Sequence, residues 1–375
     1  MRIGIDARFY GSVGKGLGRY VQKLIENLEK IDKENQYFIF LRKENFNEFV
    51  PKNKNFKKVL ADYRWYTFSE QINMPRILYR HKLDLVHFPH FNVPVFYRKK
   101  FIITIHDLIL LHFPTLRATG LNPVFYGCKY LAYKLVIGSA IRRSKKVITV
   151  SNFSKEDILR NYSFLKQEKV GVTYEACDSL ADENKEIENR EDVLKKYDII
   201  KPYLLYVGNA YPHKNLEGLL EAWKIFAEKE LETRLVLVGK EDYFYRRLKE
   251  KIKDEKIARV VLAGFVKDAD LIYIYRQASV YIFPSLYEGF GLPPLEAMSL
   301  GVPVISNSHG CMREVLGEAA YYFNGQDKNS IKEAIEKLLR DSVLRARLIS
   351  RGHEKVREYS WAKMVDQTLE IYKQA

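Results

Sequence analysis

Cysteine is scarce in this chain. Three residues, Cys128, Cys177 and Cys311, stand far apart in a sequence of 375, and none belongs to a CxxC pair or another metal-ligand spacing. Three cysteines are too few, and odd in number, to form a network of disulfide bonds that holds the fold together. A disulfide scaffold is therefore excluded, and a reducing compartment is expected.

Long apolar runs are missing as well. The longest, residues 101–113, is interrupted by His106 and Asp107, and it falls short of the roughly 20 apolar residues that a membrane span needs. The apolar run at the start of the chain meets Asp6 at once, so no secretory leader is expected. We therefore expect a cytoplasmic protein, with attachment to the inner face of a membrane left open.

Acidic residues are the minority among the charged ones. The chain has 62 Lys and Arg against 47 Asp and Glu, a net charge of +15, and residues 1–180 carry the whole surplus with 31 basic and 16 acidic residues. This excess favours polyanionic partners such as nucleic acid, an anionic membrane or phosphorylated substrates. The basic stretches 98–100 and 142–146 fit either an anionic acceptor or membrane face or a solvated surface.

Short apolar runs rich in Val, Ile, Tyr and Phe recur along the chain. Because they are apolar on both faces, they predict strands of buried parallel sheets. Helical periodicity falls between them, and this alternation predicts an α/β fold with right-handed crossovers. The predicted strands are Arg2–Ile5, Asp84–Phe88, Phe101–Ile105, Val147–Val150, Tyr203–Val207, Leu235–Val238, Val260–Ala263, Val280–Phe283 and Val302–Ile305.

A polar segment divides the chain into two halves of similar size. Residues 179–192, SLADENKEIENRED, have no core-forming periodicity and are typical of a linker. We therefore predict two doubly wound parallel-sheet domains, residues 1–178 and 193–359. A last helix within residues 360–375 repeats apolar positions at Ala362, Val365, Leu369 and Tyr372, but this periodicity does not tell which half the helix packs on.

Small and polar residues follow the predicted strands, where open α/β sheets bind ligands. After the first strand, the glycines of residues 14–18, GKGLG, open a helix whose free N–H groups favour an anion. The spacing is GxGxG rather than GxGxxG, and neither Ser nor Thr follows the lysine, so this is not a Walker loop. An anion site and a plain flexible turn are both compatible with it.

Three charged residues of the second half are candidate site residues. Lys214 opens a predicted helix, where a cation opposes the helix dipole unless a phosphate binds beside it; the alternative is a solvated lysine. Glu288 and Glu296 frame EGFGLPPLE, whose prolines suit a helix start with Glu296 in the first turn. Two carboxylates facing one cleft accept hydrogen bonds well from sugar and ribose hydroxyls. Dipole compensation is the alternative for Glu296.

Histidines and a DxD motif complete the candidates. His106 follows a buried strand and either lines a cleft near a reacting bond or hydrogen-bonds within the core. Asp268 and Asp270 form a DxD that indicates a helix cap with an acidic first turn rather than a metal site. His87 and His90 are spaced HxxH without a nearby acidic ligand, so no metal is predicted. They line an acceptor pocket or pack against aromatic residues.

The chain resembles the retaining glycosyltransferases of group 1 (family 4), whose GT-B fold has two facing Rossmann-like domains. The match is most specific at Glu288 and Glu296, the family's Glu-x7-Glu pattern. The stretches that carry it cover most of the chain in family order: GIDARFYGSVGKGLGRYVQKLIENL, DLVHFPHFNVP, TIHDLILLHFP, ITVSNFSKEDIL, YVGNAYPHKNLEGLLEAW, LVLVGK, VVLAGFV and SLYEGFGLPPLEAMSLGVPVISN.

The resemblance implies a role for each matched residue. Lys214 would bind the donor diphosphate, Glu288 would hold the transferred sugar, and His106 would lie near the anomeric centre; these three form the implied catalytic set. Glu296 would hold the ribose, and the C-terminal helix would cross back to the first domain. The other implied substrate-binding positions are Gly16 and Gly18 beside the diphosphate, Phe265 and Val266 beside the base, and Gly208, Asn209, Gly289, Phe290, Gly291 and Leu292.

Asn209 departs from the family pattern. Many members have an arginine just after the glycine that ends the first strand of the C-terminal domain, and here Asn209 follows Gly208. The phosphate cradle therefore has one cation fewer. Either another basic residue supplies the missing positive charge, or the N-terminal glycine loop contributes more to binding the diphosphate.

The activity implied is transfer of a hexose from a nucleotide-diphosphate sugar to a glycan or lipid-linked acceptor, with retained configuration and without a metal or another cofactor. DLVHFPHFNVP and PHKN resemble mannosyltransferase-like members of polysaccharide biosynthesis and favour GDP-mannose. An anionic membrane is an expected peripheral contact. Two alternatives stay open: a nucleotide-sugar epimerase of GT-B-like fold, and a non-catalytic polyanion-binding protein. Because no nucleic-acid recognition module is found, nucleic acid is not an expected partner.

Overall fold

The computed structural model describes residues 1–11, 15–114, 123–177 and 191–375. They form two compact units. Unit 1 comprises Met1–Leu108, Leu121–Glu175 and Ser360–Ala375, and unit 2 comprises Ile109–Gly120 and Ala176–Tyr359. Most of the predicted linker, residues 179–190, lies outside the described residues, and its last two residues begin a helix.

Unit 1 is built on a parallel sheet of seven strands in the order β3-β2-β1-β4-β5-β6-β7. The chain runs up one side of β1, crosses over, and continues on the other side from β4, which is the doubly wound pattern. The strands are β1 (Arg2–Asp6), β2 (Gln36–Leu41), β3 (Phe56–Leu60), β4 (Leu85–Phe88), β5 (Phe101–Ile105), β6 (Val147–Thr149) and β7 (Val170–Val172).

Unit 2 repeats this arrangement with a parallel sheet of six strands in the order β10-β9-β8-β11-β12-β13. Its strand order reverses between β8 and β11. The strands are β8 (Tyr203–Val207), β9 (Arg234–Val238), β10 (Val260–Gly264), β11 (Val280–Phe283), β12 (Val304–Asn307) and β13 (Ala320–Phe323).

Helices follow most of the strands in both units. Within the described ranges, none of them combines the length and the apolar character that a membrane-spanning segment requires. The helices are α1 (Lys15–Ile31), α2 (Phe68–Arg80), α3 (Ile109–His112), α4 (Pro123–Arg143), α5 (Asn152–Asn161), α6 (Glu191–Lys196), α7 (Leu216–Ala227), α8 (Tyr243–Asp254), α9 (Asp268–Gln277), α10 (Leu292–Ser299), α11 (Gly310–Leu316), α12 (Lys328–Arg340), α13 (Ser342–Arg357) and α14 (Trp361–Lys373).

The predicted doubly wound α/β class is confirmed, and each of the nine predicted strands is present. Strands β4, β5 and β11 are buried at every residue, as expected for strands covered by helices on both faces. The ninth prediction was misplaced, because β12 begins at Val304 rather than at Val302. Four strands were missed: β2, β3, β7 and β13.

Helix α14 lies in unit 1. Its buried face holds Trp361, Met364, Val365, Thr368 and Tyr372. The predicted face was partly wrong, because Ala362 is exposed and Leu369 is only half-buried.

A hydrogen-bonded chain joins α14 to the sheet of unit 1. The Nδ1 atom of His87, on β4, lies 2.8 Å from the Tyr372 hydroxyl, and its Nε2 lies 2.8 Å from Oγ1 of Thr104 on β5. Burial, together with the charge of His106, lowers the pKa of His87 to about 3. The ring therefore stays neutral and, with both nitrogens hydrogen-bonded, serves the packing of unit 1.

We expect Tyr372→Phe to destabilise the protein by about 1–3 kcal/mol, because it leaves a buried nitrogen of His87 without a partner. Urea denaturation measures this change in the free energy of unfolding. Tyr97→Phe is the matched control, since the Tyr97 hydroxyl is buried in unit 1 and has no hydrogen-bond partner in the described part of the chain. A loss as large in the control as in Tyr372→Phe would contradict the role of the His87 hydrogen bond.

Candidate functional site

The strand order locates the ligand-binding edge in each unit. Doubly wound sheets bind ligands beyond the carboxyl ends of their strands, at the point where the order reverses. That point lies between β8 and β11 in unit 2 and between β1 and β4 in unit 1. The loops after these strands contain most of the polar candidates.

Lys214 lies in the loop after β8, in a short 3₁₀ turn of residues 212–214. The prediction that it opens a helix was wrong by two residues. Asn215 adopts a left-handed conformation, with φ of 58°, and α7 begins at Leu216. The turn is attached to the loop after β11, because the Leu286 amide donates a 2.7 Å hydrogen bond to the His213 carbonyl oxygen.

Lys214 and Glu288 form an ion pair at this edge. The Nζ atom of Lys214 lies 2.5 Å from Oε1 of Glu288, and the two side chains are only 14% and 10% exposed. The Lys214 ammonium also lies 5.7 Å from the centre of the Phe283 ring at the end of β11. The contact exists because β8 and β11 are neighbours in the sheet, although the two residues are 74 positions apart.

Glu296 lies deeper in its helix than its sequence context predicts. Helix α10 begins at Leu292, so Pro293 and Pro294 fill the first turn and Glu296 is the fifth helical residue. The expectation of an acidic first turn was therefore wrong, and dipole compensation loses its basis. Gly291 caps the helix with φ of 90°, and a Cβ atom there would overlap the side chain of Met312. Glycine is thus required at this position.

The remaining candidates of unit 2 differ in exposure. Asn209 is exposed, and its backbone oxygen accepts a 2.7 Å hydrogen bond from the Tyr206 hydroxyl. Phe265, after β10, is 70% exposed, whereas the adjacent Val266 is buried. Phe290 is buried and packs edge-on against Tyr359. Gly208 follows β8. Gly289 follows Glu288 and is buried, and Leu292 is the half-buried first residue of α10.

The glycine-rich segment of unit 1 opens α1 as predicted. Gly14 lies outside the described residues. Gly16 is exposed in the first helical turn, with nothing near the position of a Cβ atom. Gly18 is buried, and a Cβ atom there would overlap the carbonyl oxygens of Gly11 and Phe9. The close approach at Gly18 is therefore to the chain's own backbone.

His106 follows β5 and is held from both sides. Its Nδ1 lies 3.0 Å from Oε1 of Glu175, and its Nε2 lies 3.3 Å from the carbonyl oxygen of Pro89. Both partners accept hydrogen bonds, so the doubly protonated imidazolium fits this environment best. Burial alone would lower the pKa of His106, but the hydrogen bond and charge of Glu175 outweigh it, and the pKa is raised.

A buried ionic cluster at the end of β1 was missed by the sequence analysis. The guanidinium of Arg8 is fully buried and lies 2.7 Å from Asp6 and 2.6 Å from Glu70. Asn92 donates a further hydrogen bond to Glu70, 2.8 Å long. The signal available was the DAR sequence directly after β1, but nothing in it pointed to Glu70. Because two carboxylates neutralise the Arg8 guanidinium, we assign Arg8 a role in stabilising the fold of unit 1.

Aromatic rings line the same edge of unit 1 and were also missed. Phe9 stacks on Trp65 with ring centres 4.2 Å apart. His90 lies 4.0 Å from Phe91 and 6.4 Å from Tyr66, and the Tyr66 side chain is 62% exposed. His90 thus packs among aromatic residues, which was one of the two alternatives for the HxxH pair. Of these rings Tyr66 is exposed, whereas Phe9, Trp65, His90 and Phe91 are half-buried.

The DxD of residues 268–270 begins α9 with both acids in the first turn, as predicted, but the expected cap was wrong, because the N-cap residue is Lys267 and Asp268 is already helical. Asp270 is buried and accepts hydrogen bonds from Lys196, at 2.7 Å, and from Tyr197, at 2.9 Å. Among the residues that the structure describes, no three His, Cys, Asp or Glu side chains are grouped as a metal site would require.

Comparisons with known proteins agree with this architecture. Residues 14–179 match the family described as Glycosyltransferase Family 4, and residues 188–355 match Glycosyl transferases group 1. O-antigen chain mannosyltransferase B of Escherichia coli is 29% identical over 379 residues, with 96% of each chain covered.

Solved structures show the same fold. Sucrose-phosphate synthase from Thermosynechococcus elongatus superposes with a TM-score of 0.74 at 19% identity, over 100% of this chain and 98% of that one. Anabaena HepE in complex with UDP-glucose does so with a TM-score of 0.72 at 15% identity, over 100% and 99%. The predicted GT-B class is thereby confirmed, and these matches favour neither the epimerase nor the polyanion-binding alternative. Since each half of the sequence matches a glycosyltransferase family, the chain belongs to the group 1 (family 4) glycosyltransferases.

Proposed function

We propose that this glycosyltransferase moves a mannosyl residue from GDP-mannose to a glycan or lipid-linked acceptor, with retention of the anomeric configuration. The observation that carries the proposal is the ion pair of Lys214 and Glu288 at the strand-order reversal of unit 2. The choice of mannose is supported by the Escherichia coli relative, an O-antigen chain mannosyltransferase that matches over almost its whole length.

Lys214 supplies the positive charge for the leaving diphosphate. As the bond from the anomeric carbon to the diphosphate oxygen breaks, negative charge grows on that oxygen, and a fixed cation in a site of low polarity stabilises it. The acceptor hydroxyl attacks the same face of the sugar and passes its proton to the departing diphosphate. With this cation in place, the proposed reaction uses no metal ion.

Glu288 holds the ammonium of Lys214 until the donor arrives. A diphosphate carries more negative charge than one carboxylate, so it displaces Glu288 from Lys214. The freed carboxylate then accepts hydrogen bonds from the hydroxyls of the transferred sugar. Glu296, eight positions further along, does the same for the ribose of the nucleotide.

His106 is proposed to supply a fixed positive charge near the anomeric centre, because Glu175 favours its protonated form. The aromatic residues at the carboxyl edge of unit 1 supply the acceptor surface. Their flat faces pack against the C–H faces of a sugar ring, which favours a glycan over a small phosphorylated acceptor. Peripheral attachment to the inner face of a membrane is part of the proposal, on the strength of the basic first half.

We expect Lys214→Ala to lower the rate of transfer by roughly 10- to 150-fold, the equivalent of about 1.5–3 kcal/mol for one charge-assisted hydrogen bond. Transfer from GDP-mannose to a glycan acceptor measures the rate. Lys229→Ala, which removes an exposed lysine of unit 2, is the matched control. Activity of Lys214→Ala within twofold of the control would remove Lys214 from the site.

Glu288→Gln is expected to separate binding from turnover. The amide keeps the shape of the side chain but no longer competes for Lys214, so GDP binds as tightly as before or more tightly. Turnover falls at least tenfold, by about 1.4 kcal/mol or more, since the sugar loses a charged acceptor. Calorimetry with GDP and steady-state kinetics test the two effects, and an equal loss in both would argue against a sugar-facing role.

Glu175→Gln is expected to lower the pKa of His106, because the partner that favours the imidazolium is removed. NMR titration of the imidazole measures this directly. A raised pKa in the folded state means that the pair stabilises the fold below the unfolded pKa, about 6.5, and that this stability is lost as the pH rises through the folded pKa. The stability difference between wild type and variant should therefore be larger at about pH 6 than at about pH 9. An unchanged imidazole pKa would show that Glu175 does not control His106.

Tyr66→Ala is expected to raise the KM for a glycan acceptor by about 2- to 12-fold, matching the roughly 0.5–1.5 kcal/mol of an aromatic contact. The KM for the donor stays unchanged, and Tyr66→Phe retains wild-type behaviour. Phe164→Ala, an exposed aromatic of unit 1, serves as the control. Loss of donor affinity with an unaltered acceptor KM would contradict the acceptor role.

A further inference from the structure

A cavity lies in unit 1, away from the carboxyl edge described above. Its volume is about 450 Å³, and its charged lining consists of Arg98, Lys99, Lys100, Arg143, Lys145 and Asp84. Five cations thus face one carboxylate.

This basic pocket lies at the opposite end of the sheet. Asp84 precedes β4, residues 98–100 precede β5, and Lys145 precedes β6. The three strands are parallel neighbours, so their amino ends lie together. The five residues of β5 span about 16 Å, which separates the basic pocket from His106 beyond the far end of that strand.

Among the residues that the structure describes, the cations of the basic pocket form no ion pair with an acidic side chain. Asp84 accepts a 2.7 Å hydrogen bond from the Arg2 amide, so part of its capacity is already used. Arg143 donates through Nη1 to the carbonyl oxygens of Val95 and Tyr97, at 3.0 and 2.8 Å. Its Nη2 is buried and, among the described residues, has no hydrogen-bond partner. A buried guanidinium nitrogen without a partner is costly, and the charge of Arg143 adds to the positive field of the basic pocket.

The surrounding charges repel one another. Burial and the charge of Arg98 lower the pKa of Arg143. On the adjoining surface, burial and the charge of Lys145 lower the pKa of Lys169. Two cations are thus each held in an unfavourable positive field, which a bound anion would reverse.

We propose that the basic pocket is a second phosphate-binding site, which takes a phosphomonoester or diphosphate group on the guanidinium group of Arg98 and the ammonium groups of Lys99, Lys100 and Lys145, with Arg143 adding positive charge. Arginine forks match phosphate oxygens in geometry, and flexible lysines add charge. The cavity has room for more than one phosphate, and the group can come from a soluble metabolite or from the headgroup of a lipid. The proposal does not depend on the transferase reaction assigned to the carboxyl edges.

The test is calorimetric titration with inorganic pyrophosphate at low salt. Arg98→Gln/Lys100→Gln removes two exposed cations of the basic pocket but leaves Arg143, which holds the backbone. Lys52→Gln/Lys54→Gln removes two exposed cations elsewhere in unit 1 and is the matched control. We expect binding at least tenfold weaker in the pocket variant and unchanged in the control.

Lys214→Ala distinguishes this site from the proposed donor site. Binding at the basic pocket survives that variant, whereas any binding of pyrophosphate beside Glu288 is lost. Equal affinity in wild type and pocket variant overturns the second site and leaves the donor assignment untouched. An equal loss in the pocket variant and the control also overturns it, because general charge then explains the binding.

Vesicles distinguish the two sources of the phosphate. Val95 and Phe96, just before the basic run, are 37% and 59% exposed and could contact lipid. Sedimentation with phosphatidylglycerol vesicles, lost in the pocket variant and absent with phosphatidylcholine, identifies a lipid headgroup. Pyrophosphate binding without sedimentation identifies a soluble ligand. Absence of both refutes the proposal.

Discussion

The ion pair of Lys214 and Glu288 is the interaction on which the proposed donor site of unit 2 depends. Two opposite charges lie 2.5 Å apart with little exposure to water, so each makes the presence of the other tolerable. Removing one partner leaves a buried charge without compensation, which is far more costly than never having had the pair. In the proposed reaction the diphosphate takes the place of the carboxylate at Lys214, so the ammonium keeps an anionic partner throughout.

The same principle governs the carboxyl edge of unit 1. Arg8 is held by Asp6 and Glu70, and His106 is held by Glu175. In the first case two acids fix a permanent cation, whose role is then structural. In the second, one acid holds a group that can lose its proton, so the charge at that position depends on pH. The difference in chemistry follows from which cation occupies the site.

Much of the fold follows from local sequence, whereas the site does not. Runs such as FIITI are apolar on both faces, and only burial in a sheet explains them. The missed strands were the charged edge strand FKKVL, the three-residue VGV, AYYF, and QYFIFL, which is as apolar as the strands that were predicted. Its position at a predicted helix start marked Lys214 as a candidate. Its pairing with Glu288 follows from the strand order and not from the local sequence. Glu175 and Glu70 lie 69 and 62 positions from their partners, and no local pattern contains them.

Part of the surplus positive charge of the first half is concentrated at one edge of the sheet of unit 1. At the carboxyl edge, Arg8 and His106 are matched by Asp6, Glu70 and Glu175, so that edge adds little to the surplus. At the amino edge, five cations share one partly occupied carboxylate. Strand β5, five residues long, separates the matched charges of the carboxyl edge from the unmatched charges of the amino edge. Folding alone gains nothing from gathering like charges at one end, because they repel. An anion bound there lowers this repulsion. The amino edge, where the charges are unbalanced, is therefore the edge of unit 1 that favours an anionic ligand.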